Sequence, residues 1–122
     1  MMEAELVVNR LIEKKPKTRQ ELQEFIKTSN AFIIDFTATW CGPCKTFKPI
    51  MEGLEQEGYP IYFQDVDDDP ILAESYQIKS VPTIKIIQND KVMETMVGIQ
   101  DPEIMIGKFQ LYAQLDFVSD ES

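Results

Sequence analysis

The chain has 122 residues, 43% of them hydrophobic, which suits one domain with a packed core and excludes intrinsic disorder. Lysines and arginines number 12 against 21 aspartates and glutamates, and the net charge of −9 excludes the basic footprint of a nucleic-acid binder and opposes anionic membranes. There is no histidine, so imidazole metal ligands and general bases are excluded, and no apolar run approaches the roughly 18–20 residues of a membrane-spanning helix.

Residues 1–10 carry Glu3 and Glu5 and no apolar signal-peptide core, so a non-secretory, cytoplasmic protein is expected. Residues 5–12 are expected to form a short first strand. Thr18-Arg19-Gln20-Glu21 has the spacing of a capping box, and Leu22, Phe25 and Ile26 then form one face of a helix ending near Asn30. Residues 31–36 are almost continuously apolar, as in a central strand covered on both faces. A turn carrying Cys41-Gly42-Pro43-Cys44 leads into a second helix, with Phe47, Ile50, Met51 and Leu54 on one face, running to about Glu57. Pro49 lies inside it and is expected to kink it.

Residues 61–66 predict another strand, and Asp69-Pro70 opens a short helix through about Tyr76. Residues 83–88 and 91–97 predict two strands joined by the tight-turn pair Asn89-Asp90. A last helix is expected from Asp101-Pro102 to Leu115, followed by an acidic tail, 116–122, that frays. The order β α β α β α β β α predicts one α/β domain over residues 1–122, with its core in about 5–115 and a mixed sheet.

The two cysteines are too few for a closed four-cysteine zinc site, and a bridge between them closes too small a loop to stabilise much. Redox chemistry fits the spacing better. Residues i and i+3 on a first helical turn lie about 5–6 Å apart at Cα, within disulfide range. Unpaired N–H groups at the helix start favour a thiolate at Cys41, while Cys44, one turn in, is expected to be more sheltered and to resolve a mixed disulfide. Asp35 interrupts the apolar strand, and a lone buried carboxylate there should have a raised pKa. Asp65, Asp67 and Asp69 resemble the opening of a calcium loop, but Pro70 and Tyr76 stand where its glycine and final glutamate are needed, so a polar loop and helix cap are expected.

The segment from Asp35 to Lys45, with Trp40-Cys41-Gly42-Pro43-Cys44-Lys45 at its end, resembles the active-site segment of the thioredoxin family. Pro49, Val81-Pro82-Thr83 and Val97-Gly98 are similar to further features of that family in the same order. The resemblance implies a thioredoxin fold: a central mixed sheet of about five strands flanked by helices on both faces. It implies a cis peptide bond before Pro82, and catalytic roles for Cys41, Cys44 and Asp35, with Asp35 taking a proton from Cys44 through water. It implies a substrate-docking surface built from Trp40, Gly42, Pro43, Val81, Pro82 and Gly98. The Gly-Pro pair between the cysteines is the one associated with the reducing members rather than with isomerases or oxidases.

Three residues depart from the family pattern: Thr37 stands where many members carry tryptophan, Asp90 replaces a hairpin glycine, and Phe63 falls where a lysine often pairs with the buried aspartate. Together these readings predict a thioredoxin-family protein-disulfide reductant with a Cys41–Cys44 redox disulfide, no bound cofactor and no metal. Its expected partners are disulfide-containing proteins and a separate thioredoxin reductase, an NADPH-linked flavoenzyme by resemblance, and it is expected to act as a monomer. The alternative is a thioredoxin-like binding subunit of a larger enzyme without redox turnover. Replacing both cysteines with serine separates the two, since only a binding role survives it.

Overall fold

A computed structural model describes residues 19–26 and 30–121. The strand expected at residues 5–12 and the Thr18 cap lie outside the described residues. The elements in order are α1 (Arg19–Ile26), β1 (Phe32–Thr37), α2 (Gly42–Gln56), β2 (Ile61–Asp65), α3 (Pro70–Ser75), β3 (Thr83–Gln88), β4 (Lys91–Val97) and α4 (Pro102–Glu121). Among the described residues the sheet has four strands in the order β2-β1-β3-β4. β1 pairs parallel to β2 and antiparallel to β3, and β3 pairs antiparallel to β4. The sheet is therefore mixed, as the element order predicted.

Period-two alternation along β1 divides the core into two layers. Ile33 packs with Phe47, Met51 and Leu54 of α2 and with Met105 and Phe109 of α4. Phe32, Ile34 and Phe36 point the other way and pack with Leu22 and Ile26 of α1 and Leu72 of α3. Because both faces of β1 are covered, its sequence is apolar almost without interruption. Edge-on aromatic pairs reinforce both layers: Phe25 against Phe32 at 4.9 Å and Tyr59 against Phe109 at 6.0 Å between ring centroids.

α4 is held to the sheet by polar contacts as well. Gln88 Nε2 donates to the Tyr112 carbonyl at 3.1 Å, and Tyr112 Oη donates to the Met93 carbonyl at 3.1 Å. The helix continues to Glu121, past the expected end near Leu115 and through the tail expected to fray. No glycine or proline follows Lys108, so nothing in that stretch breaks it.

The β3–β4 turn adopts the left-handed conformation at both central residues, with φ of 54° at Asn89 and 60° at Asp90. That is the geometry of a type I′ hairpin turn. The Asp90 N–H donates to the Ile26 carbonyl at 3.0 Å and ties the turn to the end of α1. Asp90→Gly keeps that bond and relieves the left-handed strain. It is expected to raise stability by on the order of 0.5 kcal/mol, read as a higher urea midpoint at unchanged slope.

Candidate active site

β1 ends at Thr37, and the chain turns through residues 38–41 into α2. The Cys41 N–H donates to the Ala38 carbonyl at 3.3 Å, closing this turn. Cys41 is the N-cap of α2, with extended backbone angles (φ −89°, ψ 117°), and Pro43 lies in the first helical turn, where its missing N–H costs nothing. Within α2, Pro49 lacks the N–H that would donate to the Lys45 carbonyl. Cys41 and Cys44 are joined in a disulfide, with Cα atoms 5.3 Å apart.

The two sulfurs have different surroundings. Cys41 Sγ accepts a hydrogen bond from the Cys44 N–H at 3.2 Å and lies 3.5 Å from the Val81 carbonyl oxygen. An N–H aimed at Sγ from the helix start stabilises negative charge there once the disulfide opens. Cys44 lines a cavity of about 570 Å³ that it shares with Asp35. Exposure barely separates the cysteines: Cys41 is 4% exposed and Cys44, expected to be the more sheltered, 3%. Ala38 clusters with the pair, and Val66 and Val81 pack against that cluster.

Asp35 is 3% exposed and faces α2 from the middle of β1. Its register neighbours are Phe63 on β2 and Ile84 on β3. Neither offers a cation or a hydrogen-bond donor from its side chain, and Oδ1 has no hydrogen-bond partner among the described residues. Burial alone pushes its carboxyl up to about 7.

The Val81–Pro82 peptide bond is cis, as the family resemblance implied. The Pro82 carbonyl accepts from the Gly98 N–H at 2.8 Å, which joins the proline loop to the end of β4. Gly98 has φ +88°, and a β-carbon there would meet no atom within 4 Å. Gly98→Ala is therefore opposed by backbone strain rather than by crowding, and should cost about 1–2 kcal/mol, measured as a fall in the unfolding midpoint.

Trp40 is 66% exposed, so it lies on the surface beside the disulfide rather than in the core. Its indole Nε1–H donates to Asp67 Oδ2 at 2.7 Å. Asp67 was legible only as part of an acidic loop, because a contact across 27 residues leaves no local sequence signal. The other acidic residues of that loop are used locally: Asp65 Oδ1 accepts from the Asp67 N–H at 2.8 Å, and Asp69 caps α3 by accepting from the Leu72 N–H at 3.0 Å. Gly42 and Pro43 are exposed beside the disulfide, while Val81 is half-buried and Pro82 buried.

A reversible pair of cysteines at a helix start, on an α/β sheet with helices on both faces, defines a thiol–disulfide oxidoreductase poised for dithiol–disulfide exchange. The family model described as thioredoxin matches residues 13–109, and the chain belongs to the thioredoxin family. It is 36% identical over 89 residues to a thioredoxin of Chlamydia caviae, covering 71% of this chain and 86% of that one. With a thioredoxin of Chlorobaculum thiosulfatiphilum it is 41% identical over 88 residues, covering 70% and 81%. Among solved structures, a mutant thioredoxin from Halobacterium salinarum superposes with a TM-score of 0.70 at 31% identity, covering 79% of this chain and 86% of the other. Among the described residues no helix is long and apolar enough to cross a membrane.

Proposed function

We propose that the protein reduces protein disulfides in the cytoplasm, as a single domain and a monomer, with Cys41 as the attacking sulfur. The observation that carries this reading is the Cys44 N–H donating to Cys41 Sγ at the start of α2. Cys41 thiolate attacks one sulfur of the substrate disulfide, forming a mixed disulfide and releasing the other sulfur as a thiolate. Cys44, deprotonated by Asp35, then attacks Cys41 Sγ, which forms the Cys41–Cys44 disulfide and releases the second substrate thiol. Two electrons pass to the substrate, and the substrate's two sulfurs leave as thiols.

Asp35 suits the proton step because its carboxyl titrates near neutral pH and lines the same cavity as Cys44. The docking surface is Trp40, Gly42, Pro43, Val81, Pro82 and Gly98, a reading supported by the Val81 carbonyl 3.5 Å from Cys41 Sγ and by the Gly98 N–H bonded to the Pro82 carbonyl. An extended substrate segment would pair with the backbone at Val81. A separate thioredoxin reductase would return the disulfide to the dithiol. A cytoplasmic setting is supported by cysteine usage: both cysteines form the redox pair, and a reducing compartment keeps such a pair turning over. Mixing the reduced protein with a disulfide protein and counting thiols on each partner by alkylation and mass tests the exchange. Loss of both cysteine thiols here should match the gain of two on the substrate; a substrate that stays oxidised contradicts it.

A further inference from the structure

The 570 Å³ cavity beside the disulfide has the makings of a ligand site in its own right. That volume falls within the roughly 300–1,000 Å³ of small-molecule pockets. Asp35, 3% exposed, lines it, and its Oδ1 is, among the described residues, the one buried side-chain oxygen or nitrogen without a hydrogen-bond partner. Phe47, Phe63, Ala38 and Pro82 supply apolar wall. The other charged groups facing it are Lys45, Lys48, Glu52 and Glu55 from α2, and Asp65 and Asp68 from β2 and the loop after it. Acidic groups outnumber basic ones even before Asp35 is counted.

We propose that this cavity binds a protonated primary alkylamine, with its ammonium donating to Asp35 and its hydrocarbon chain lying along Phe47 and Phe63. A buried carboxylate is strongly disfavoured without a cation or donor, so a ligand supplying both gains from the interaction. Phe47, Phe63, Ala38 and Pro82 offer a hydrocarbon chain apolar surface, and among the described residues no group of acidic or cysteine side chains is placed to hold a metal ion, which needs several oxygen, nitrogen or sulfur ligands. Phe63 is central: it occupies the register position beside Asp35 on β2, so that strand brings no cation to the carboxylate. The ammonium could belong to a free small amine or to a lysine side chain of a bound protein substrate, because Cys44 and Pro82 line the same cavity. The proposal does not depend on Asp35 accepting a proton from Cys44.

The test uses the oxidised 122-residue chain at pH 8 and n-butylammonium chloride, followed by thermal unfolding and by NMR shifts of the Phe63 ring. A saturable rise in melting temperature with matching Phe63 shifts is expected, with apparent affinity at least about tenfold weaker at pH 5, where Asp35 holds its proton. Tetramethylammonium chloride at equal ionic strength should do neither, since it has no N–H to donate. Asp35→Asn should lose the response, and so should Phe63→Lys, whose own ammonium would fill the cavity. A disulfide peptide carrying lysine that competes with n-butylammonium, when its norleucine counterpart does not, identifies a substrate side chain as the occupant. Absence of that competition alongside butylammonium binding identifies a free amine. No saturable response, an equal response to tetramethylammonium, or a response retained in Asp35→Asn overturns the proposal.

Discussion

Asp35→Ala is expected to gain about 2–3 kcal/mol of stability relative to wild type between pH 5 and pH 8. Unfolded, this carboxyl titrates near 3.8; folded, burial holds its proton to about 7. Between those values the native state binds more protons than the unfolded state, so wild-type stability falls as pH rises through the window. Its contribution is intact below pH ~4 and fully lost above about 7. Each pKa unit is worth about 1.36 kcal/mol, so the full span corresponds to roughly 4 kcal/mol, of which about a third is already lost at pH 5.

Alanine removes this pH dependence and leaves a slightly larger cavity, whose cost is the same at both pH values. The variant should therefore be more stable than wild type at pH 8, by about 1–3 kcal/mol. Urea unfolding of both proteins at pH 5 and 8 measures the effect, and parallel pH profiles would show that Asp35 is solvated or paired in solution. The same variant should reduce disulfides roughly 10–100-fold more slowly, because Cys44 loses its proton acceptor.

Asp35 also shows what the sequence makes legible and why. A charged residue within an apolar strand is visible because burial on both faces removes the usual alternation, and the register then places Phe63 beside it. The hairpin was legible from Asn89-Asp90, since few residue pairs tolerate two consecutive left-handed conformations. The start of α2 was legible because a cysteine pair three apart and a proline in the first turn are local features. Contacts between distant segments were not. The Trp40–Asp67 hydrogen bond and the 3.5 Å approach of Cys41 Sγ to the Val81 carbonyl depend on how loops pack. The near-equal burial of the two cysteines was hidden for the same reason: helix position suggests an order, while Val66 and Val81 pack against the cluster that holds them. The extension of α4 to Glu121 is not legible because an acidic end resembles a tail, although the stretch carries no helix breaker.

The larger effect on activity falls on the cysteines. Cys41→Ser should abolish disulfide reduction, since a serine hydroxyl stays protonated near neutral pH and cannot attack a disulfide usefully. Cys44→Ser should also lose turnover but keep the first step, because the Cys41 nucleophile and the backbone N–H at residue 44 that supports its sulfur both remain. The two variants therefore fail at different points: one before any covalent intermediate, the other with the intermediate stranded. Mass spectrometry of each reduced variant after exposure to a disulfide protein tests this most directly. Cys44→Ser should accumulate a mixed disulfide mapped to Cys41, and Cys41→Ser should accumulate almost none; equal trapping by both variants, or trapping by Cys41→Ser alone, would contradict Cys41 as the attacking sulfur.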